Sequence, residues 1–344
     1  MKTIRVAVNG AGRIGRAFVK IARERKEIEL VAINDIGNID NIAYLLKYDT
    51  AYGVSQFPIE VKSDKSAIII DGKEVKFIGE KEPTKLPWKA LDIDVVVEST
   101  GLFVTYEKSK VHLDAGAKRV VITAPVKDEP TAGMQGATVL LGINEEKLKT
   151  CDISSNASCT TNAGSPLIAI LDEAIGIEKA ILNTVHGYTA SQALVDAPNK
   201  KDFREGRAAA QNIVPSSTGA AIAITKALPD FAGKFDGISI RVPIVVGSLV
   251  DVTFIAKRNT TVEEVNSTLK KASLEKRWEK IFSTTEEPLV SSDIVGSRFA
   301  SIADLAFTRV VDGNLVKVLA WYDNEIGYTY TLVDHVVKTG GFIK

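Results

Sequence analysis

The feature that most limits the possible folds is a glycine-rich turn between two segments of different periodicity. A short apolar run at residues 4–8 stops before the turn, and residues 14–22 then repeat apolar side chains at helical spacing. The turn, residues 10–15, has the spacing Gly-x-Gly-x-x-Gly, and a second strand pattern at 28–33 leads to Asp35. This order of elements is a strand, a glycine turn, a helix and a second strand that ends in an acid. It predicts a doubly wound dinucleotide-binding domain.

The same turn predicts the cofactor. Gly10, Gly12 and Gly15 permit a tight turn, close approach of a diphosphate and close packing of the helix. The carboxylate of Asp35 can accept hydrogen bonds from ribose hydroxyls and would repel a 2′-phosphate, so it favours NAD over NADP. A glycine-rich turn without a ligand is the alternative, which the strand, the helix and the acid together disfavour.

The remainder of the first half continues the α/β pattern. Residues 67–77 fold around Asp71-Gly72, which predicts a hairpin. Unbroken β-branched triplets at 95–97 and 120–122 are typical of parallel strands covered on both faces, and 108–115 reads as the helix between them. The first part is therefore predicted to be a doubly wound α/β domain.

The second half has a different texture, with long strand patterns that follow one another without helices. Asp312-Gly313 marks a hairpin turn, and residues 190–215 are long, polar and poorly periodic. This pattern predicts an α+β domain with a mixed or antiparallel sheet. The strands are expected at 180–185, 237–242, 248–256, 303–310 and 315–321, and the helices near 216–228 and 262–272, with a last helix at 326–337.

Cys159 is the strongest candidate for a nucleophile. It lies among the hydroxyl and amide side chains of residues 155–162, directly before an apolar run at 163–175 that reads as a helix. The free N–H groups and the dipole at the start of a helix favour a thiolate. A lone cysteine is more often a buried structural residue, but its polar neighbours here disfavour that interpretation.

Three histidines are available as a partner for this thiol. His112 and His335 lie in amphipathic helical segments, where a surface or hydrogen-bonded histidine is expected. His186 ends an apolar strand and precedes Gly187, a position that presents a side chain at a site. We therefore expect His186 to be the base that pairs with the cysteine.

Composition narrows the class of protein. A chain of 344 residues suggests two domains, and its 45% hydrophobic and 25% charged residues are ordinary for a soluble globular protein. Lys plus Arg equals Asp plus Glu at 43 each, which gives no basic footprint for nucleic acid. Two cysteines are too few for a disulfide framework, and no metal-ligand spacing, signal peptide or membrane-spanning stretch is evident. We expect a cytoplasmic enzyme without metal.

The wording of the cysteine motif resembles a known family. Residues 155–162, Ser-Asn-Ala-Ser-Cys-Thr-Thr-Asn, are similar to the active-site signature of the glyceraldehyde-3-phosphate dehydrogenases. The resemblance covers essentially the whole chain in the family's order. Its other landmarks are residues 9–16, 45–49, 98–101, 184–186, 215–221, 241–243 and 321–325.

The resemblance implies oxidation of D-glyceraldehyde 3-phosphate to 1,3-bisphosphoglycerate, with inorganic phosphate, NAD and a cysteine thioester. It implies an NAD-binding domain over 1–158 and 324–344, a catalytic domain over 159–323, and a homotetramer with 190–215 between subunits. The implied catalytic residues are Cys159 and His186. The implied cofactor contacts are Gly10, Gly12, Arg13, Ile14, Gly15, Asp35, Lys81, Ser99, Thr100, Gly101, Thr123 and Asn324. The implied substrate and phosphate contacts are Ser158, Thr160, Thr189, Arg204, Thr218, Gly219 and Arg241.

The chain departs from the family's pattern at several positions. Glu80-Lys81 stands where many relatives have an arginine near the adenine, and Ala163 replaces a second cysteine. Ala197 and Gly37 are small, as in relatives that accept NADP, so we expect NAD to be preferred and NADP to be a secondary cofactor.

Other functions remain open at this point. Erythrose-4-phosphate dehydrogenase shares the framework, whereas aspartate-semialdehyde dehydrogenase is disfavoured by the wording of residues 155–162. An inactive cofactor-binding regulator is disfavoured because Cys159, His186 and Arg241 are all present.

Overall fold

The structure is a computed structural model that describes residues 3–343. The chain forms two compact units. The first comprises the residues up to 139, 144–157 and those from 329 onward, and the second comprises 140–143 and 158–328. Each unit contains its own sheet.

The first unit contains a nine-stranded sheet in the order β10-β11-β9-β8-β1-β2-β7-β6-β5. The strands from β10 to β7 run parallel, and β6 and β5 are antiparallel additions. The elements are β1 (Ile4–Asn9), α1 (Arg13–Ala22), β2 (Ile28–Asn34), α2 (Ile39–Lys47), β3 (Tyr48–Asp49), β4 (Gly53–Val54), β5 (Ile59–Val61), β6 (Ala67–Ile70), β7 (Lys73–Ile78), β8 (Val95–Glu98), α3 (Tyr106–Asp114), β9 (Arg119–Ile122), β10 (Gly136–Thr138) and β11 (Ile153–Ser155).

The central strands of this sheet are buried on both faces. Every residue of β8 is buried, as expected for a parallel strand that is covered on both faces. Parallel pairing also brings the carboxyl ends of the strands to one edge, where Asn9 lies in register with Asn34 on one side and Glu98 on the other. This edge carries polar side chains at the ends of apolar strands.

The second unit contains a seven-stranded mixed sheet in the order β13-β14-β12-β15-β18-β17-β16. The last helix, α7 (Ile326–Gly341), belongs to the first unit from residue 329 onward. The other elements are α4 (Cys159–Ile175), β12 (Ile177–Gly187), β13 (Val214–Ser217), α5 (Ala220–Ala227), β14 (Phe235–Val242), β15 (Ser248–Ala256), α6 (Val262–Ser273), β16 (Phe282–Thr285), β17 (Ser301–Val311) and β18 (Leu315–Tyr322).

One face of this sheet forms the core of the second unit with its helices. Residues of β15 and β18 alternate between buried and partly exposed, the pattern of a sheet covered on one face. Helix α4 is buried along most of its length because it packs against that face. The opposite face leaves large apolar side chains exposed, among them Ile181 at 57% and Ile238 at 51%.

The predicted fold class is confirmed: a doubly wound α/β unit is followed by an α+β unit with a mixed sheet. The hairpins at Asp71-Gly72 and Asp312-Gly313 form with positive φ at both turn residues of each. The helix predicted near 216–228 starts later than expected. Residues 216–217 complete strand β13, and α5 starts at Ala220. No helix within residues 3–343 is long and apolar enough to cross a membrane.

Candidate active site

Cys159 is the first residue of helix α4. The preceding residue, Ser158, caps this helix, and its Oγ accepts a hydrogen bond from the backbone N–H of Thr161 at 3.1 Å. The backbone N–H groups of Cys159 and Thr160 donate to the thiol and favour its ionised form. The predicted position at the start of a helix therefore supplies the sulfur with backbone donors.

His186 lies opposite this thiol at the end of strand β12. Its Nε2 is 3.4 Å from Sγ of Cys159, within hydrogen-bonding distance for sulfur. Thr184 and His186 share the buried face of β12, which the two-residue repeat of a strand turns toward helix α4. The structure therefore brings the two predicted catalytic residues together.

Arg241 completes the cluster from the neighbouring strand β14, where it lies in register with His186. Its Nη1 is 2.6 Å from His186 Nδ1 and 3.3 Å from the carbonyl oxygen of Gly187. The same Nδ1 is also 2.6 Å from the Gly187 oxygen. Because guanidinium only donates, Nδ1 either accepts from Arg241 or carries a proton that it donates to Gly187.

The charges of this cluster oppose one another. Burial and the positive charge of Arg241 lower the pKa of His186 to about 3. Burial raises the pKa of the Cys159 thiol, although Arg241 and the hydrogen bonds from Thr160 act in the opposite direction. Burial therefore works against the thiolate that the helix start favours, and the same burial disfavours a charged ring at His186.

A group of three buried hydroxyls lies beside the thiol. The hydroxyl of Tyr322 is 2.9 Å from Oγ1 of Thr160 and 2.7 Å from Oγ1 of Thr184. Its ring meets His186 edge to face, with the ring centroids 6.0 Å apart. Burial raises the pKa of Tyr322, so the phenol stays protonated and orients the Thr160 hydroxyl.

The other predicted phosphate contacts lie on separate segments and have different partners. The half-buried Thr189 pairs with Ser191, their hydroxyls 3.1 Å apart. Thr218 accepts from the N–H of Ala220, and Gly219 precedes α5 with open space where a side chain would lie. Arg204 is exposed, and its guanidinium pairs with Asp202 of the same loop at 2.7 Å.

Asn324 is buried in the second unit. Its Oδ1 accepts hydrogen bonds from the N–H of Gly247 at 3.1 Å and from Ser248 Oγ at 3.0 Å. These two donors determine the orientation of the amide that was predicted to contact nicotinamide.

The glycine turn of the first unit has the shape that a dinucleotide requires. Gly10 has a φ of +98°, and a Cβ there would lie 2.7 Å from the N atom of Thr100. A Cβ on Gly15 would lie 2.0 Å from the carbonyl oxygen of Gly10. Gly12 precedes helix α1 without a side-chain cap, and a Cβ on it would meet no atom within 4 Å. The helix start therefore has no side-chain cap and leaves open space at Gly12, as diphosphate binding needs.

Asp35 lies beside this turn. Its two carboxylate oxygens accept hydrogen bonds from the N–H groups of Ala11 and Gly37, each at 2.7 Å. A Cβ at Gly37 would lie 3.0 Å from Oδ1 of Asp35, so glycine leaves room for this arrangement. Each oxygen retains a second lone pair for a ribose hydroxyl.

The remaining cofactor candidates follow the ends of neighbouring strands. Ser99 donates to the carbonyl oxygen of Gly10 at 2.6 Å, which ties its segment to the glycine turn. The guanidinium of Arg13 pairs with Asp49 through Nη1 at 2.8 Å. Lys81 is exposed. The other candidates near this edge are Ile14, Thr100, Gly101 and Thr123. These residues fit NAD.

Sequence reasoning assigned no role to Tyr322, Thr184, Glu98 or Asn34. Tyr322 lies in the landmark at residues 321–325. Its position on the buried face of a strand was the signal that could have indicated a role in the site. His112 and His335 are buried and hydrogen-bonded, in agreement with the expectation of a satisfied histidine.

A dinucleotide-binding unit followed by a unit with a cysteine, a histidine and an arginine in contact defines a nucleotide-dependent oxidoreductase class. A family model described as the NAD-binding domain of glyceraldehyde 3-phosphate dehydrogenase matches residues 4–106, and its C-terminal domain model matches 158–324. The chain belongs to the glyceraldehyde-3-phosphate dehydrogenase family, which confirms the predicted resemblance.

Full-length relatives agree with this assignment. The glyceraldehyde-3-phosphate dehydrogenase of Thermotoga maritima is 49% identical over 96% of this chain and 97% of its own length. Glyceraldehyde-3-phosphate dehydrogenase 2 of Streptomyces avermitilis is 45% identical over 98% and 99%, and the Borreliella burgdorferi enzyme is 46% identical over 97% and 99%.

Proposed function

We propose that this chain oxidises D-glyceraldehyde 3-phosphate to 1,3-bisphosphoglycerate, with NAD as hydride acceptor and inorganic phosphate as second substrate. The observation that carries the proposal is the contact of Cys159 with His186 at 3.4 Å, and of His186 with Arg241 at 2.6 Å. A nucleophile, a base and a cation for phosphate are thereby in one cluster.

The reaction begins at Cys159. As its sulfur adds to the aldehyde carbon, the thiol proton passes to His186, and the Cys159 N–H and the protonated His186 ring stabilise the developing oxyanion. The oxyanion takes this proton from His186, which gives the hemithioacetal. His186 then takes the hydroxyl proton, which makes the adjacent C–H bond a hydride donor. Bound NAD supplies the acceptor for this hydride. The product on the enzyme is a Cys159 thioester.

Inorganic phosphate completes turnover. It attacks the thioester carbon, the C–S bond breaks, and the Cys159 sulfur leaves as the acyl phosphate forms. Arg241 and Thr189 are assigned to the phosphate of the substrate. Ser158, Thr160, Thr218 and Gly219 are assigned to the attacking phosphate, and the open N-terminus of α5 supports this assignment. Arg204 is assigned to this set by the resemblance alone. Its guanidinium pairs with Asp202, so its assignment has the weakest support of the set.

The test is a single-turnover measurement of NADH absorbance without phosphate. A burst equal to the concentration of sites, followed by steady production once phosphate or arsenate is added, is the expected result. Full steady-state turnover without phosphate would indicate a non-phosphorylating enzyme. Comparing kcat/KM for glyceraldehyde 3-phosphate and erythrose 4-phosphate distinguishes the alternative dehydrogenase, and no NADH with either aldehyde would indicate a regulator.

NAD is proposed as the preferred cofactor, with NADP as a secondary one. The carboxylate of Asp35 beside the glycine turn supports NAD, because it would repel a 2′-phosphate. Gly37 and Ala197 are small residues, as in relatives that accept NADP. We therefore propose that NADP is used measurably as a secondary cofactor.

The chain is also proposed to act as a cytoplasmic homotetramer. Segment 190–215 exposes large apolar side chains, with Leu194 at 81% and Phe203 at 87%, and the outer face of the second sheet exposes Ile181 and Ile238. Such surface is typical of subunit contacts. Both cysteines are free thiols, which suits a reducing compartment. Light scattering that gives a monomer mass at assay concentration would contradict the tetramer.

A further inference from the structure

A buried network of polar side chains lies at the carboxyl ends of central strands of the first sheet, next to the glycine turn. We call it the edge network: Asn9, Asn34, Glu98 and His112, at the ends of β1, β2 and β8 and within α3. The four residues are 2%, 5%, 2% and 0% exposed, respectively. The proposed reaction chemistry uses none of them.

Glu98 is the centre of the edge network and accepts four hydrogen bonds. Its Oε2 lies 2.6 Å from Asn9 Nδ2 and 2.9 Å from His112 Nε2. Its Oε1 accepts from the backbone N–H of Thr100 at 2.8 Å and from the Thr100 hydroxyl. Four donors occupy the four lone-pair sites of a carboxylate, so this side chain is fully used.

Trp88 determines the direction of the bond between His112 and Glu98. Its indole N–H, which can only donate, lies 3.2 Å from His112 Nδ1. Nδ1 is therefore the acceptor, and the proton of the neutral ring sits on Nε2, which donates to Glu98. Every neighbour of the Glu98 carboxylate is therefore a donor.

Asn34 extends the edge network to a second loop. Its Nδ2 donates to Asn9 Oδ1 at 2.7 Å and to the carbonyl oxygen of Glu80 at 3.0 Å, and its Oδ1 accepts from the Glu80 N–H at 2.9 Å. The backbone of Glu80 is thus held at both of its polar groups.

The two segments that the network holds are those predicted to contact the cofactor. Thr100 belongs to the segment after β8, and Glu80 precedes Lys81. We propose that Glu98 is a positioning residue for the dinucleotide, which fixes the Thr100 segment directly and the Glu80 loop through Asn9 and Asn34. This inference rests on the proposed use of NAD.

A buried carboxylate at the other end of the same strand provides a matched control. Asp94 directly precedes β8, is 2% exposed, and accepts from the Arg5 N–H at 2.9 Å and from Lys118 at 2.7 Å. Its partners lie at the opposite edge from the glycine turn. A general loss of stability would follow from a change at either Asp94 or Glu98, whereas a loss of cofactor positioning would follow only at Glu98.

The test compares Glu98→Gln with Asp94→Asn by isothermal titration of NAD into the cofactor-free protein. Glutamine keeps the size of Glu98 but turns an amide N–H₂ toward donors. We expect the Kd for NAD to rise about tenfold or more in Glu98→Gln and by less than about twofold in Asp94→Asn. In Glu98→Gln the KM for NAD should rise, with the KM for the aldehyde and the rate of Cys159 alkylation unchanged.

Other outcomes of these titrations would overturn the role proposed for Glu98. An NAD Kd within about twofold of wild type in Glu98→Gln, or an equal rise in Asp94→Asn, would overturn the inference. If Glu98→Gln does not fold, Asn34→Asp decides, because its new oxygen faces the oxygens of Asn9 and Glu80; an unchanged Kd there overturns the inference as well. Failure of the wild-type protein to bind NAD would instead overturn the proposed function.

Discussion

The guanidinium of Arg241 lies 2.6 Å from Nδ1 of His186, on the side of the ring away from the cysteine sulfur. Arg241 therefore has two effects in the ligand-free protein. Its positive charge contributes to the low pKa of His186, and the same charge is the one proposed to bind the substrate's phosphate. An anion bound at Arg241 would offset this charge and raise the pKa of His186.

An unreactive anion should therefore activate the thiol. Sulfate is expected to raise the rate of Cys159 alkylation by iodoacetamide several-fold at pH 7 in the cofactor-free protein. The physical reason is that the pKa of His186 rises from its value of about 3, so the ring can take the thiol proton. The measurement is the second-order alkylation rate against pH, with and without sulfate at constant ionic strength.

Two variants make this prediction specific. Arg241→Leu should lose the response to sulfate, whereas Arg258→Leu, which removes an exposed arginine paired with Glu264, should retain it. A wild-type rate that does not change with sulfate, or a response that survives in Arg241→Leu, would contradict the coupling between Arg241 and His186.

The two cysteines should differ completely in function. Cys159→Ser is expected to lower kcat by more than about 10³-fold, because a hydroxyl is a far poorer nucleophile at neutral pH, while NAD binding persists. Cys151 is buried and its pKa is raised by burial to about 11, so Cys151→Ser should keep near-normal kcat. Steady-state kinetics of both variants check this. Activity lost in the Cys151 variant and kept in the Cys159 variant would refute the assignment.

Cofactor choice should depend on the charge of Asp35. Asp35→Ala is expected to raise the ratio of kcat/KM for NADP over NAD by about tenfold or more, since it removes the repulsion of a 2′-phosphate. Asp40→Ala, at an exposed acid in the first turn of α2, serves as the control and should leave the ratio unchanged. The interpretation fails if wild type already prefers NADP or if the two variants behave alike.

The stability of the protein should fall in mild acid, and His335 is one cause beside the buried His186. The ring of His335 is fully buried between Ser154 Oγ at 2.7 Å and Asn156 Oδ1 at 3.0 Å, and burial lowers its pKa to about 3. A folded pKa below the unfolded value of about 6.5 means that its contribution is present above pH 6.5 and is lost as the pH falls toward 3. The loss by pH 5 is about 2 kcal/mol in the free energy of unfolding.

Urea denaturation at pH 7 and pH 5 of wild type and His335→Gln measures this contribution. The variant lacks the titrating ring, so its stability should fall less over that range even if it is lower at pH 7. His112→Gln is a poor control because His112 belongs to the edge network. Parallel losses in wild type and His335→Gln would assign the acid sensitivity to other groups.

The sequence by itself determined the fold class and supplied the candidate catalytic residues. Periodicity separated a parallel, doubly wound half from a half with long adjacent strands, and the turn residues at Asp71-Gly72 and Asp312-Gly313 were sufficient to predict both hairpins. Cys159 could be proposed as the nucleophile because its neighbours and its helix are local in the chain. Local signals of this kind act through backbone conformation and capping, which depend on nearby residues.

Only the tertiary structure decided which distant side chains meet. Strand register placed Arg241 beside His186, and parallel pairing aligned Asn9, Asn34 and Glu98 at one edge. Register and burial are set by long-range packing, and they also determine the charges: desolvation lowers the pKa of His186, an effect that no local pattern shows. The sequence supplies the reactive groups, and the packed sheets determine their distances and protonation.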